Sequence, residues 1–395
     1  MIPACTFRYC KSLRWGCLLL ALSAVYGLCQ RSAFAQQPDS LPRFAGPLDT
    51  LRLQPDTLEF NRFSVLPLPV VGYQPETNFF GGAAAFFNFR LSKDSLTRPS
   101  TANTGFAYSL NEQLVANLSF NLFTDHEAFN IRGFVGYRFF PEFFYGYGPR
   151  TSESLGELYS HKRWEGNLEV LHTLIPGEPL FVGPTYRFTR LFDVNYPANG
   201  LLASGVPGAE GYFASGGGIM VLLDQRKNLV NPKQGVMMLL RNTFNSDFFG
   251  SSHQFSFLEV DLRKYWQVWE ARNWTLAAQA RLLTTTGTPP FRNVPLLGSQ
   301  MDMRGYYQGR YRDTEFYSFQ TELRFPVVWR FGLAAWLGAG DVAPGLADFD
   351  FATIKPTAGT GIRFKIDRKN DANLRVDAGV GRNSVGLYFA YGEAF

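Results

Sequence analysis

Apolar and polar residues alternate along most of the chain from about residue 62 onward. Successive side chains of a β-strand point to opposite faces, so a period of two predicts strands with one apolar and one polar face. The alternation predicts sixteen strands: 64–73, 78–90, 101–111, 114–124, 127–138, 162–173, 179–191, 211–224, 234–244, 251–263, 273–282, 316–326, 330–340, 354–366, 372–380 and 384–395.

Charged residues are confined to one face of these predicted strands. Segment 372–380 places Leu374 and Val376 on one face, and Arg375 and Asp377 on the other. In a transmembrane barrel the apolar face meets lipid and the charged face lines the lumen, whereas a soluble sandwich turns its charges to water. Periodicity alone leaves both architectures open. In the last predicted strand the apolar face is formed by alternate residues, namely Val385, Leu387, Phe389, Tyr391 and Phe395.

The connections alternate in length. The long ones, 139–161, 192–210, 283–315 and 341–353, all follow odd-numbered strands, and those after even-numbered strands are mostly short. Short periplasmic turns and long outer loops are typical of outer-membrane barrels. We therefore predict an all-β fold, a sixteen-stranded antiparallel transmembrane β-barrel. Because segment 283–315 is far longer than ordinary connections, we expect this extracellular loop to pack against another part of the protein.

The N-terminus predicts export. A positive region is followed by the short apolar run 18–28 and by an Ala-x-Ala cleavage site ending at Ala35. We predict a signal peptide over 1–35, a Pro-rich, disordered periplasmic lead-in over 36–61 and a barrel over 62–395. The expected location is the outer membrane of a Gram-negative-type cell.

The composition of the chain excludes several kinds of site and partner. Aromatic residues make up 16% of the chain, which suits a transmembrane barrel. All four cysteines lie in the leader, so the mature chain has no disulfide and no thiolate metal site. Without the four cations of the leader, the 38 cations and 33 anions of the chain nearly balance, and nucleic-acid binding loses its support.

Nothing in the sequence supports an enzyme. The chain has no G-x-S-x-G and no H-E-x-x-H motif, and none of its four histidines has patterned partners. We expect no catalytic residues, no cofactor and no metal. These histidines are His126, His161, His172 and His253.

Two polar motifs stand out. The first lies in the longest loop and reads LGSQMDMRGYYQGRYRD over Leu297–Asp313. Its marked positions are Arg304, Gly305, Tyr306, Gly309, Arg310, Arg312 and Asp313. The second, DQRKNLVNPKQG, lies at a predicted periplasmic turn. Its marked positions are Asp224, Arg226, Asn228, Pro232 and Gly235. The alternative interpretation of the first motif is an arbitrary charged surface loop, and that of the second is an ordinary polar hairpin turn.

Both motifs resemble those of the BamA/TamA family of outer-membrane assembly barrels, also called bacterial surface antigen barrels. The resemblance is specific over about 211–395 and architectural over 62–210. It implies that the long extracellular loop folds inward and that its arginine is held inside the lumen. The C-terminal strand, with Phe389, Tyr391 and Phe395, is of the type that outer-membrane barrels show and that the assembly machinery reads as a signal.

The chain departs from the family pattern at Gly338, where family members carry an acid that helps to hold the loop arginine. A buried guanidinium needs carboxylate partners. Strand parity turns two nearby acids, Glu322 and Asp377, toward the lumen. We therefore expect Arg304 to pair with one or both of them, beside the lumenal Arg363 and Arg375.

About 25 residues precede the barrel after cleavage, so the sequence predicts a barrel without the N-terminal POTRA modules of the family. The resemblance implies a role in outer-membrane biogenesis or in protein translocation and insertion. The alternative is a passive pore or structural barrel with a loop plug. Expected partners are outer-membrane lipid, periplasmic or outer-membrane assembly partners, client proteins and further copies of the chain.

Overall fold

The computed structural model describes residues 63–74, 78–94, 97–368 and 371–395. The predicted signal peptide and lead-in lie outside these residues. The described chain is antiparallel β-structure of seventeen strands. They are β1 (Phe63–Gln74), β2 (Asn78–Phe89), β3 (Ser100–Ser109), β4 (Leu114–Phe123), β5 (Phe129–Phe139), β6 (Glu142–Phe144), β7 (Glu157–Thr173), β8 (Leu180–Asn195), β9 (Tyr212–Asp224), β10 (Gly235–Asn245), β11 (Phe255–Trp269), β12 (Trp274–Gly287), β13 (Glu315–Val328), β14 (Phe331–Ala343), β15 (Lys355–Asp367), β16 (Ala372–Gly381) and β17 (Ser384–Tyr391).

Sixteen of these strands follow one another around the wall of the barrel. Each pairs with the next along the chain, and β5 pairs directly with β7. The short β6 extends the β5–β7 connection and pairs with β7 beyond the end of β5. The predicted all-β fold and its sixteen wall strands are confirmed, with ends shifted by a few residues. β6 was not predicted, because three residues are too few to show alternation.

The long and short connections lie at opposite ends of the wall, as expected from their alternation. We call these the loop end and the turn end. The loop end carries 140–156, 196–211, 288–314 and 344–354. The turn end carries 225–234, 329–330 and the C-terminal residues.

Helical structure in the described residues is limited to single 3₁₀ turns, and none of these helices is long or apolar enough to span a membrane. They are Asp125–Glu127, Glu153–Leu155, Leu202–Ser204, Asp247–Phe249, Glu270–Arg272 and Phe351–Thr353.

Large apolar side chains cover the outer surface of the wall, including Val385, Leu387 and Phe389 of β17. The buried apolar clusters lie inside it. One lies at the loop end around Phe144, Tyr212 and Phe291. Since its outer face is apolar and much of its inner face is charged, the wall has the inverted polarity of a membrane barrel.

The prediction that Phe395 lies on the lipid face is wrong. β17 ends at Tyr391, and the following Gly392 has φ +80°, a left-handed conformation that turns the chain inward. Phe395 is buried inside the wall beside Tyr265. The alternation of β17 therefore stops at the turn, and parity no longer predicts which way the last side chain points.

Candidate functional site

The long connection 288–314, which we call the inward loop, brings the first motif against the inner wall. Its tip turns at Gly305, where φ is +109°. A Cβ at Gly305 would lie 2.6 Å from the carbonyl carbon of Val380, and one at Gly379 would lie 2.9 Å from the carbonyl carbon of Arg304. Glycines on both sides therefore let the loop backbone pack directly on β16.

Arg304 is fully buried and is held by two carboxylates at once. Its Nη2 lies 2.5 Å from Oε2 of Glu322 on β13, and its Nη1 lies 2.6 Å from Oδ2 of Asp377 on β16. The guanidinium also lies over the ring of Trp336 on β14, 3.7 Å from its centroid. Glu322 and Asp377 thus supply the negative charge that is missing at Gly338, where family members carry an acid.

Four arginines share three carboxylates around this point. Asp377 also binds Nη1 of Arg375 at 2.6 Å and Nη1 of Arg363 at 2.5 Å. Glu322 also binds Nε of Arg324 at 2.7 Å. The third carboxylate is Glu393, whose Oε2 lies 2.8 Å from Nε of Arg363. We call this set the arginine network; its members are Arg304, Arg324, Arg363, Arg375, Glu322, Asp377 and Glu393.

Sequence reasoning missed Glu393 and Trp336 as members of this site. Glu393 shares the parity of the outward residues of β17, but the turn at Gly392 sends its side chain inward. Trp336 alternates with outward residues of β14, and its inward parity was the available signal.

Two tyrosines fix the tip to the strands beside it. The backbone N–H of Gly305 donates to the hydroxyl of Tyr388 on β17 at 2.9 Å. The hydroxyl of Tyr306 donates to the carbonyl of Pro356 on β15 at 2.7 Å and accepts from the N–H of Arg382 at 2.8 Å. The tip therefore contacts the last three wall strands directly.

The second half of the first motif lies at the loop end, away from the arginine network. Arg312 is buried and donates to the carbonyl oxygens of Gly309 and Phe291. Gly309 has φ +80°. Arg310 donates to the hydroxyl and carbonyl of Thr151, both at 2.7 Å. These contacts join the inward loop to connection 140–156.

Two carboxylates at the loop end have shifted pKa values. Burial raises the pKa of Asp313, whose carboxylate accepts from the N–H of Thr314. Burial would also raise the pKa of Glu142, but Arg292, His161 and Arg163 outweigh it and lower the pKa to about 2. Nη1 of Arg292 on the inward loop lies 2.8 Å from Oε2 of Glu142.

The second motif forms a compact turn at the turn end. Arg226 makes a two-point ion pair with Asp224, with both contacts at 2.8 Å. Oδ1 of Asn228 accepts from two backbone N–H groups of the turn. Pro232 offers its carbonyl oxygen to Arg324 at 3.5 Å. Gly235 has φ +112°, and a Cβ there would lie 2.7 Å from a backbone oxygen.

Arg98, which sequence reasoning missed, joins this turn to the connection between β4 and β5. It binds Oε2 of Glu127 at 2.6 Å and donates to the carbonyl of Asp224 at 3.1 Å. The N–H of Glu393 donates to the carbonyl of Val230 in the same turn. The turn motif thus lies under the C-terminal residues that complete the arginine network.

The edges of the wall, β1 and β17, form what we call the seam. Their Cα atoms approach within 8 Å, but no backbone ladder between the two strands is found in the described chain. The ring of Tyr391 on β17 lies against that of Phe86 on β2, tilted by 31°, with centroids 4.1 Å apart. Tyr391 is therefore half-buried at the seam.

A wall of sixteen β-strands with an apolar outside, and a loop held in its lumen, defines a transmembrane β-barrel of the outer-membrane type. The family model described as the Omp85 superfamily domain matches residues 78–386. The chain therefore belongs to the Omp85 superfamily, whose members are outer-membrane transport and assembly proteins of Gram-negative bacteria.

Solved structures agree on the fold. BamA from Haemophilus ducreyi lacking POTRA domains 1–3 superposes with a TM-score of 0.53 at 13% identity, covering 84% of this chain and 69% of that one. CdiB from Escherichia coli superposes with a TM-score of 0.53 at 12% identity, covering 83% of this chain and 62% of that one. CdiB from Acinetobacter baumannii superposes with a TM-score of 0.51 at 10% identity, covering 83% of this chain and 59% of that one.

At these identities the likeness shows a common fold. No curated protein matches the sequence. Within the described ranges no group of three or more His, Cys, Asp or Glu side chains could hold a metal ion.

Proposed function

We propose that this barrel inserts polypeptide strands into the outer membrane, or moves them across it, through the seam between β1 and β17. The observation that carries the proposal is that these two edges lie side by side without a hydrogen-bonded ladder. An unpaired strand edge is a template for another strand, and edge pairing is a common mode of peptide recognition.

Two prolines keep the β1 edge from pairing with β17, which leaves the β17 edge as the one that can pair with another strand. The N–H of Leu110 donates to the carbonyl of Phe79, so the odd residues of β2 hydrogen-bond toward β3 and the even ones toward β1. In the β1–β2 register even residues face even residues, so the odd residues of β1 turn their backbone groups toward β17. Pro67 and Pro69 are both odd and both lack an N–H.

The inward loop is positioned to control this seam. Its tip binds the hydroxyl of Tyr388 on β17, and Arg304 binds Asp377 on the neighbouring β16. Displacing the tip would remove contacts from the strands on one side of the seam only. Client polypeptides and outer-membrane lipid are the partners that this proposal requires.

Chemical crosslinking at the seam tests the proposal. The predicted mature chain has no cysteine, so Phe86→Cys with Tyr391→Cys can be joined by a short bis-maleimide without interference. The barrel is placed in lipid vesicles, and insertion of a urea-unfolded eight-stranded barrel is followed by its heat-modifiable mobility. We expect the wild type to accelerate insertion and the crosslinked protein to lose this effect.

The matched control is Val376→Cys with Phe389→Cys, a register pair across the intact β16–β17 ladder. Crosslinking that pair should leave the acceleration unchanged. Equal activity of both crosslinked proteins would contradict lateral opening at the seam. A steady conductance in planar bilayers without any acceleration would favour the passive pore.

A further inference from the structure

We infer that the barrel holds a binding site for a phosphate-type oxyanion in a chamber between the inward loop and the wall strands β7–β12. The chamber has a volume of about 370 Å³ and lies apart from the arginine network. Arginines from three strands and from the loop line it; these are Arg187, Arg241, Arg281 and Arg292.

Three of the four arginines are already paired. Arg241 binds Glu169 and Glu259, Arg281 binds Glu259 and Asp302, and Arg292 binds Glu142. Arg187 on β8 is the exception, because no carboxylate of the described chain lies within ion-pair distance of it. Its guanidinium rests over the ring of Phe257, 5.2 Å from the centroid.

The acidic residues of the chamber are committed to other cations. Glu165 lies 3.3 Å from both Arg138 and Arg163. Glu259 and Asp302 lie 3.0 Å from Arg281. Arg187 is therefore a surplus positive charge in a confined space, where a cation without a counter-charge is costly. An anion is the ligand that this charge distribution favours.

Neutral donors lie beside Arg187 in the lining of the chamber. They are the hydroxyl of Thr189 and the side-chain amide of Asn245. A fork of guanidinium N–H donors, flanked by hydroxyl and amide donors, matches the tetrahedral oxygens of a phosphate group better than a halide.

The probe is inorganic phosphate, titrated into the full chain in detergent micelles and followed by ³¹P NMR line broadening and calorimetry. We expect saturable binding by the wild type. Arg187→Gln should weaken binding about tenfold or more, since a charge-assisted pair is lost. Arg187→Lys should recover part of the affinity, because it restores the charge without the planar fork.

The matched control is Arg190→Gln, a cation on the same strand that is exposed and does not line the chamber. It should bind like the wild type. Heat-modifiable mobility verifies that each variant is folded. A second arm replaces free phosphate with phosphatidic acid in mixed micelles; binding in that arm alone would assign the site to a lipid headgroup.

Absence of saturable binding in both arms would overturn the inference. So would equal affinities of wild type and Arg187→Gln, which would reduce the chamber to a solvent pocket.

Discussion

The two sides of the seam differ in chemistry. Strands β1–β4 contain no Asp, Glu, Lys or Arg, and their inner face is joined by neutral hydrogen bonds, such as that of Ser119 to Asn103 at 2.8 Å. Strands β13–β16 carry the arginine network except for Arg304 and Glu393, and they bind the inward loop. We call these the neutral wall and the charged wall.

This difference indicates which side of the seam can move. A neutral amide or hydroxyl exchanges a protein partner for water at small net cost, whereas a buried ion stripped of its partner incurs a large desolvation penalty. Apart from the contact of Arg98 with the turn at Asp224, the neutral wall can therefore bend away without exposing charge. The charged wall and its loop should behave as one rigid unit, and four predictions test that division.

The largest effect is expected from Glu322→Gln in the charged wall. Glu322 is fully buried and contacts Arg304 at 2.5 Å, Arg324 at 2.7 Å and Arg363 at 3.5 Å. Removing its charge leaves buried guanidinium groups uncompensated, which we expect to lower the free energy of unfolding by on the order of 3–5 kcal/mol. Urea unfolding in micelles, followed by heat-modifiable mobility, measures this change.

The control for Glu322→Gln is Ser119→Ala in the neutral wall, which deletes one hydrogen bond and should cost about 1 kcal/mol. Similar losses for the two variants would remove the distinction between the walls.

Arg304→Ala should have the next largest effect. It removes two charge-assisted contacts, but Asp377 keeps Arg363 and Arg375, and Glu322 keeps Arg324. We expect a loss of about 2–3 kcal/mol, smaller than for Glu322→Gln, together with a freed loop tip. Planar-bilayer conductance should rise and limited proteolysis should cut within 288–314.

Arg310→Ala is the matched control for Arg304→Ala, because Arg310 lies on the same loop but contacts Thr151 at the loop end. It should leave the conductance of the wild type unchanged. If both variants raised conductance equally, the arginine network would not be what holds the loop.

Gly305→Ala tests how closely the tip packs on the charged wall. A Cβ at this position meets the left-handed φ of +109° and a backbone carbon at 2.6 Å. Gly205→Ala shares a left-handed φ, +86°, but has nothing within 4 Å. We expect Gly205→Ala to cost about 1 kcal/mol and Gly305→Ala about twice that, as measured by urea unfolding. Equal losses would show that the tip can retreat from β16.

The strands of both walls could be predicted from the sequence, because alternation is a local property that each strand carries by itself. The approach of Arg304 to Glu322 and Asp377 could also be predicted, since the loop motif and the inward parity of both carboxylates pointed to one lumen. Parity failed for Glu393 and Phe395, because Gly392 changes the chain direction after β17.

Contacts between distant connections left no local signal. Arg98 reaches Glu127 and the turn at Asp224 across the turn end, and nothing in the sequence around Arg98 indicates these partners. The neutral wall leaves a partial trace in the sequence, because the first four predicted strands contain one charged residue, Arg90 at the end of 78–90. What the division into two walls means for the seam could not be predicted, because the missing ladder between β1 and β17 is seen only in the structure.

The smallest effect is expected from acid at the loop end, where Glu142 joins the inward loop through Arg292. The pKa of Glu142 is lowered to about 2 from its usual 4.5. The ion pair therefore contributes its full stability above about pH 4.5 and loses it as the pH falls toward 2. Proteolysis of 288–314 by an acid-stable protease should increase over this window. Glu142→Gln should be cleaved faster at neutral pH and show a smaller further increase in acid. The arginine network would hold the tip throughout, so cleavage near Arg292 but not near Arg304 would show that the charged wall retains the tip after the loop end has been released. A uniform increase along the whole loop would mean that both ends detach together. The arginine network would then not be enough to hold the tip without the loop-end contacts.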